Sequence, residues 1–181
     1  MHSNDVRLGK FISLILRNKP EVIGISLDKH GWADVDELIK GINKSGRKID
    51  FETLDRIVRE NNKQRYSFND DKTKIRANQG HSINVDVELK EVIPPDVLYH
   101  GTATRFLYSI KDKGILKMSR LYVHLSKDVD TALNVGKRHG KPIVLAIDTG
   151  AMIKDSYKFY LSVNDVYLCD DIPWKYVRIY K

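Results

Sequence analysis

The stretch DFETLDRIVRENNKQRYSFNDDKTKIRA, residues 50–77, decides how the first half of this 181-residue chain folds. Asp50 places a side-chain acceptor just before a segment in which Phe51, Leu54, Ile57 and Val58 share one helical face. Tyr66-Ser67-Phe68 then alternates, Asn69-Asp70-Asp71 turns, and Lys72 to Ala77 alternates back, which predicts a β-hairpin. Toward the N-terminus, Asp34-Val-Asp-Glu37 resembles a capping box that opens a helix through about Ile42. Before it, Leu8, Phe11, Ile12, Ile15 and Leu16 recur at helical spacing in a stretch that stops ahead of Pro20.

Three helices followed by a hairpin predict a winged-helix lobe. That arrangement often binds nucleic acid and also serves as a plain scaffold, so it does not define function. Pro94-Pro95 breaks helix and ladder alike and places a boundary there, giving lobes of residues 1–92 and 93–181. In the second lobe Val97–His100 reads as a strand broken by Gly101, and residues 104–113 as a helix closed by Gly114. Leu121–Leu125 reads as a strand, Asp128–His139 as a helix ending at Gly140, and Ile143–Ile147 as a buried strand. Tyr157–Leu161, Val166–Cys169 and Tyr176–Tyr180 complete an α+β reading, mostly strand toward the end.

Composition narrows the class. At 41% hydrophobic and 30% charged residues, the chain has material for real cores and is not a disordered tract. No apolar run approaches the ~18 residues of a membrane span. The opening residues MHSNDVRLGK lack an apolar signal core, and Cys169 is the one cysteine, so a cytoplasmic protein without a disulfide framework or thiolate metal site is expected. The net charge is +7, and residues 40–76 hold 11 basic against 6 acidic residues. That local excess suits a polyanion, and equally a solubilising surface.

Four short words could carry chemistry. Arg17-Asn18-Lys19 puts cations where an apolar helix ends, which also satisfies the helix dipole. Gln79-Gly80-His81-Ser82 offers amide, imidazole and hydroxyl groups around a glycine, fit for a phosphate or for a plain turn. Tyr99-His100-Gly101-Thr102 fits a ligand lying against backbone, or a buried histidine before a turn. In Arg120 to Ser126, Tyr122, His124 and Ser126 face one side of a strand while Leu121, Val123 and Leu125 face the other. Walker, GxGxxG, HExxH, CxxC and GxSxG patterns do not occur.

Taken in order, these words resemble the RNA 2′-phosphotransferase family of KptA type. The carrying stretches include Lys10 to Arg17, Lys19-Pro20, Gly31-Trp32-Ala33-Asp34, Lys63 to Phe68, Ile75 to Ser82, Leu98 to Thr102, Tyr122 to Ser126 and Gly140-Lys-Pro142. The resemblance implies a winged-helix RNA-binding lobe followed by an ADP-ribosyltransferase-like lobe that binds NAD as co-substrate, with no metal. It implies transfer of an internal RNA 2′-phosphate to NAD, through an ADP-ribosylated RNA phosphate, giving nicotinamide and ADP-ribose 1″,2″-cyclic phosphate. The family's phosphate-site arginines fall on Arg17, Arg65 and Arg120, and its histidine falls on Asn18, where this sequence departs from the pattern. His100, Gly101, Thr102, His124 and Ser126 correspond to NAD-binding positions, with Ser109 and Ile115 framing the adenine. Lys19, Arg76, His81, Ser82 and Arg138 are candidates for RNA phosphates. A monomer is expected. The alternatives are an ADP-ribosyltransferase acting on terminal phosphates of RNA or DNA, and a non-catalytic winged-helix nucleic-acid-binding protein.

Overall fold

A computed structural model describes residues 3–180. The chain divides into two compact units, Met1–Glu88 and Leu89–Lys181.

In the first unit, α1 (Ser3–Arg17) buries Leu8, Ile12, Ile15 and Leu16 on one side. A two-residue strand, β1 (Ala33–Asp34), leads into α2 (Val35–Lys44), whose first turn is capped by the Asp34 carboxylate accepting from the Glu37 amide at 2.9 Å. Asp50 caps α3 (Phe51–Glu60) in the same way, accepting from Thr53 at 2.8 Å. The predicted hairpin forms as β2 (Tyr66–Phe68) and β3 (Lys74–Ala77), with Phe68 opposite Ile75. β1, not foreseen, adds to the other edge of β3 to make a three-stranded sheet in the order β1-β3-β2. Leu8, Ile12, Ile15, Leu38, Ile42, Leu54, Ile57 and Ile75 form one core beneath it. Phe51 departs from its predicted face: it is exposed and meets the Phe68 ring at 6.0 Å. Asp5 is buried in α1 and takes a two-pronged contact from Arg56 of α3, at 2.9 and 3.0 Å.

The second unit begins with β4 (Lys90–Val92), residues the prolines had assigned to the first lobe. β5 (Val97–Ala103) follows, then a 3-10 turn and α4 (Leu107–Lys113). Next come β6 (Val123–Leu125), α5 (Val129–Gly136), β7 (Pro142–Asp148), α6 (Thr149–Lys154), β8 (Phe159–Leu161), β9 (Tyr167–Cys169) and β10 (Val177–Ile179). The strands form two antiparallel sheets, in the orders β10-β7-β5 and β4-β8-β9-β6. Tyr99 and Ser126 exchange both backbone hydrogen bonds at 2.8 Å, which ties the first sheet to the second. Leu98, Leu125, Leu145, Ile147, Phe159, Cys169 and Ile172 fill the core between them.

Three sequence expectations are corrected here. Gly101 does not break its strand: β5 runs through it, with Gly101 opposite Val144. The glycine is there because α5 lies directly on β5. A Cβ at Gly101 would stand 1.6 Å from the Ala132 carbonyl oxygen, and one at Gly136 would stand 2.6 Å from that of Thr102. α5 ends at Gly136, three residues short of the His139 end expected ahead of Gly140. α6 was not foreseen, although Asp148 caps it by accepting from the Ala151 amide at 2.9 Å.

Gly101→Ala therefore has no cheap relaxation, since the obstruction is backbone. It is expected to destabilise the protein by about 3 kcal/mol, read as a fall in the urea midpoint. An unchanged midpoint would refute the contact.

Candidate functional site

The first unit gathers the C-terminus of α1 and the segment after β3. Arg17 Nη2 donates to Gln79 Oε1 at 3.3 Å, and the Arg17 carbonyl accepts from the Ser82 amide at 3.0 Å. Ser82 Oγ donates to Asn18 Oδ1 at 2.9 Å. Gly80, at φ 90°, lets the loop close on the guanidinium: a Cβ there would come within 3.2 Å of Arg17 Cζ. Lys19 is exposed beside them.

Arg65 is set by a loop that two buried asparagines build. Asn61 Oδ1 accepts from the amides of Lys63 and Arg65, each at 3.2 Å. Asn78 Nδ2 donates to the Gln64 carbonyl at 2.6 Å, its Oδ1 accepts from Ser67 at 2.8 Å, and its amide donates to the Arg65 carbonyl at 2.8 Å. Gln64 takes a left-handed turn at φ 44°. Burial pushes the Tyr66 phenol's pKa up, while its bond to Ser13 and the charges of Arg17 and Arg65 act in the opposite direction. The Tyr66 hydroxyl donates to the Gly9 carbonyl at 2.6 Å and contacts Ser13.

Two candidates from the same segment are occupied in structural roles. Arg76 stacks on Trp32, 4.3 Å from the ring centroid, and pairs with Glu88 at 3.1 Å. His81 is buried, with its Nε2 unpartnered, so it packs under the loop instead of reaching outward. Burial first, then the charges of Arg17 and Arg76, push its pKa down to about 4.

In the second unit, His100 Nδ1 lies 3.0 Å from the His124 carbonyl. A carbonyl only accepts, so Nδ1 carries the proton. Burial lowers the His100 pKa, which keeps the ring neutral and leaves Nε2 as an acceptor. His124 Nδ1 sits 3.1 Å from the Tyr122 carbonyl and 3.5 Å from Arg120 Nη1. The shorter contact governs, so this nitrogen is also protonated and the arginine contact is proximity, not a hydrogen bond. Arg120 has its pKa lowered by burial and by Arg138, which places two guanidinium groups in mutual electrostatic reach. His139 adds its influence on His100.

Thr102 is buried on β5, Gly101 is covered by α5, and Ser126 is half-buried at the sheet junction. Ser109 is exposed on α4. Ile115 is a core residue, and both its backbone groups bond Ile172 at 2.8 and 2.9 Å, so its side chain is spent inside the unit. Burial, ahead of Asp170 and Asp171, pushes the Cys169 thiol up to about 12, which makes it inert. Among the described residues no group of three or more His, Cys, Asp or Glu gathers as a metal site, and no helix is long and apolar enough to cross a membrane.

Asn61 and Asn78 were not singled out in the sequence. Asn61 bonds amides two and four residues on, and Asn78 bonds residues 11 to 14 earlier, contacts that only the folded turn reveals.

Taken unit by unit, the features define a protein with paired guanidinium groups suited to phosphate and with a neutral imidazole acceptor. The RNA 2′-phosphotransferase, Tpt1 / KptA family model matches residues 3–171. A probable RNA 2′-phosphotransferase from Fusobacterium nucleatum is 66% identical over 176 residues, covering 97% of this chain and 98% of its own. Proteins of the same name are 53% identical over 171 residues in Flavobacterium johnsoniae, with 94% of each chain covered, and 49% over 173 residues in Nostoc punctiforme, with 96% of each covered. The chain belongs to the RNA 2′-phosphotransferase family.

The histidine state gives a test. An unfolded chain protonates His81 near its ordinary pKa of 6.5, whereas the folded one resists until about pH 4. The stability His81 contributes is present above pH 6.5 and lost as pH falls toward 4, by about 3 kcal/mol. His81→Gln should flatten the decline in urea midpoint between pH 7.5 and pH 4.5; an equal decline in both proteins would remove His81 as its source.

Proposed function

We propose that this protein removes an internal RNA 2′-phosphate by transferring it to NAD+, yielding dephosphorylated RNA, nicotinamide and ADP-ribose 1″,2″-cyclic phosphate. In this reading the first unit is a winged-helix RNA-binding lobe with the β2–β3 hairpin as its wing. The second is an ADP-ribosyltransferase-like lobe. The observation that carries the reading is the end of α1, where Arg17 meets Gln79, its carbonyl takes the Ser82 amide and Ser82 holds Asn18.

The chemistry asks for that arrangement. A 2′-phosphate is already anionic, so its oxygen needs no base to attack the anomeric carbon of the nicotinamide ribose. The bond to nicotinamide breaks and its electron pair leaves with the ring. Arginine forks grip phosphate oxygens in two places and orient the attack. The ribose 2″-hydroxyl then attacks phosphorus, the RNA 2′-oxygen departs and takes up a proton, and the same arginines stabilise the charge growing on the phosphoryl oxygens. Arg17 and Arg65 in the first unit, and Arg120 in the second, are each read as phosphate-binding residues.

The second unit's residues suit the dinucleotide. His100 Nε2, an acceptor, fits a ribose hydroxyl, and the Arg120–Arg138 pair favours an anion near it. His124, Ser126, Gly101 and Thr102 line the neighbouring strands, and Ser109 is reachable from solvent.

Asn18 favours a second reading, an ADP-ribosyltransferase that stops after the first step. An amide donates a hydrogen bond to phosphate yet cannot deliver a proton to a departing hydroxyl near neutral pH. The slow second step then leaves ADP-ribosylated RNA phosphate to accumulate.

Product analysis with a 2′-phosphorylated oligonucleotide and labelled NAD+ tests both. Nicotinamide release that requires the 2′-phosphate is expected, and release without it would overturn the function. The cyclic ADP-ribose phosphate marks the complete reaction. Arg65→Ala is expected to lower transfer by about 100-fold or more while stability stays within about 0.5 kcal/mol; full turnover would displace the phosphate site. In single-turnover reactions Asn18→His is expected to speed release of dephosphorylated RNA by on the order of 100-fold, and no change would clear Asn18 of limiting the second step.

A further inference from the structure

We propose that the exposed face of α1, and not α3, carries the RNA backbone flanking the reacting phosphate. The inference rests on the RNA reading above and deepens it by naming the track. Arg7, Lys10, Leu14 and Arg17 follow one another at spacings of three, four and three, so they lie on one face of the helix. That face is opposite the one formed by Leu8, Ile12 and Ile15, which are buried in the core. Arg47, from the loop before α3, joins it by lying over the Phe11 ring at 3.7 Å, and Phe11 is four residues from Arg7. Ten residues separate Arg7 from Arg17, a rise of ~15 Å along the axis. At ~3.4 Å per phosphate along one strand of a duplex, that spans about four phosphates.

The sign pattern separates this face from an ordinary wet one. Solvated helix faces usually mix charges. Here the acid of α1, Asp5, is turned inward to Arg56, and no ion pair reaches Arg7, Lys10 or Arg47 among the described residues. Helix stability does not call for these cations either. Arg7 and Lys10 lie in the N-terminal half of α1, where the dipole gives a cation no advantage. α3 shows the contrast. It carries Glu52, Asp55 and Glu60, and its arginines are engaged with acids, Arg56 with Asp5 and Arg59 with Asp55, while Lys72 also pairs with Asp55. A charge-balanced helix offers little to a phosphate chain. The α1 face ends at Arg17, so a strand following it arrives at the reacting phosphate.

The test measures binding, not turnover. A fluorescent 20-nucleotide RNA is titrated by anisotropy at several salt concentrations, with and without an internal 2′-phosphate. Arg7→Ala/Lys10→Ala is expected to weaken both RNAs about 10-fold at low salt and to reduce the slope of log K against log salt by about 1.5. The control Arg59→Ala on α3 is expected to change affinity less than 2-fold. Arg7→Gln/Lys10→Gln should reproduce the loss with an unchanged thermal midpoint, which separates a lost contact from a damaged helix. An unaltered salt slope in the α1 variants, or an equal loss in the α3 control, overturns the proposal. Failure of the wild type to consume NAD+ with the 2′-phosphorylated RNA would instead sink the catalytic reading, and the slope would still decide the track.

Discussion

A buried carboxamide holds the first unit's chemistry in place. Asn78 sits between β3 and the Gln79–Ser82 loop, and its Nδ2, Oδ1 and backbone amide are used on Gln64, Ser67 and Arg65. Leaving any of those ends dry and unmet would cost about 1–3 kcal/mol. The requirement fixes the turn that presents Arg65 and, through the next residues, the loop that closes on Arg17. Two cations from distant parts of the sequence are thus positioned by neutral amides, which orient charge without cancelling it. A carboxylate in the position of Asn78 would have supplied the acceptors and lost the donors.

The local rules were largely readable. Asp34 and Asp50 announced their helices because a cap is a matter of four consecutive residues, and the Asn69–Asp71 turn announced the hairpin. What escaped was set by partners far along the chain. β1 is two residues long, and nothing in Ala33–Asp34 says that β3 will lie beside it. Gly101 reads as an interruption because glycine weakens a strand, yet it is the residue that lets a helix backbone lie against that strand. The words around Arg17 and His100 placed them at a helix end and on a strand, where the structure has them. Arg76 and Ile115 could not be excluded, because Trp32, Glu88 and Ile172 are remote in sequence.

The chain belongs to the RNA 2′-phosphotransferase family, and its local arrangements can be weighed against the needs of a phosphate substrate. Guanidinium groups suit an anionic substrate that needs holding more than activation. The neutral state of His100 is informative in the same way: a protonated ring would favour an anion, whereas the lone pair on Nε2 can only accept a hydrogen bond.

The seating of α5 on β5 has a mechanical consequence. With Gly101 and Gly136 each facing main chain, no side chain lies between to roll or swap rotamers, and the two segments must travel as one rigid piece. Any tug on Arg138 or His139, just past the helix end, would be felt at His100 without slack.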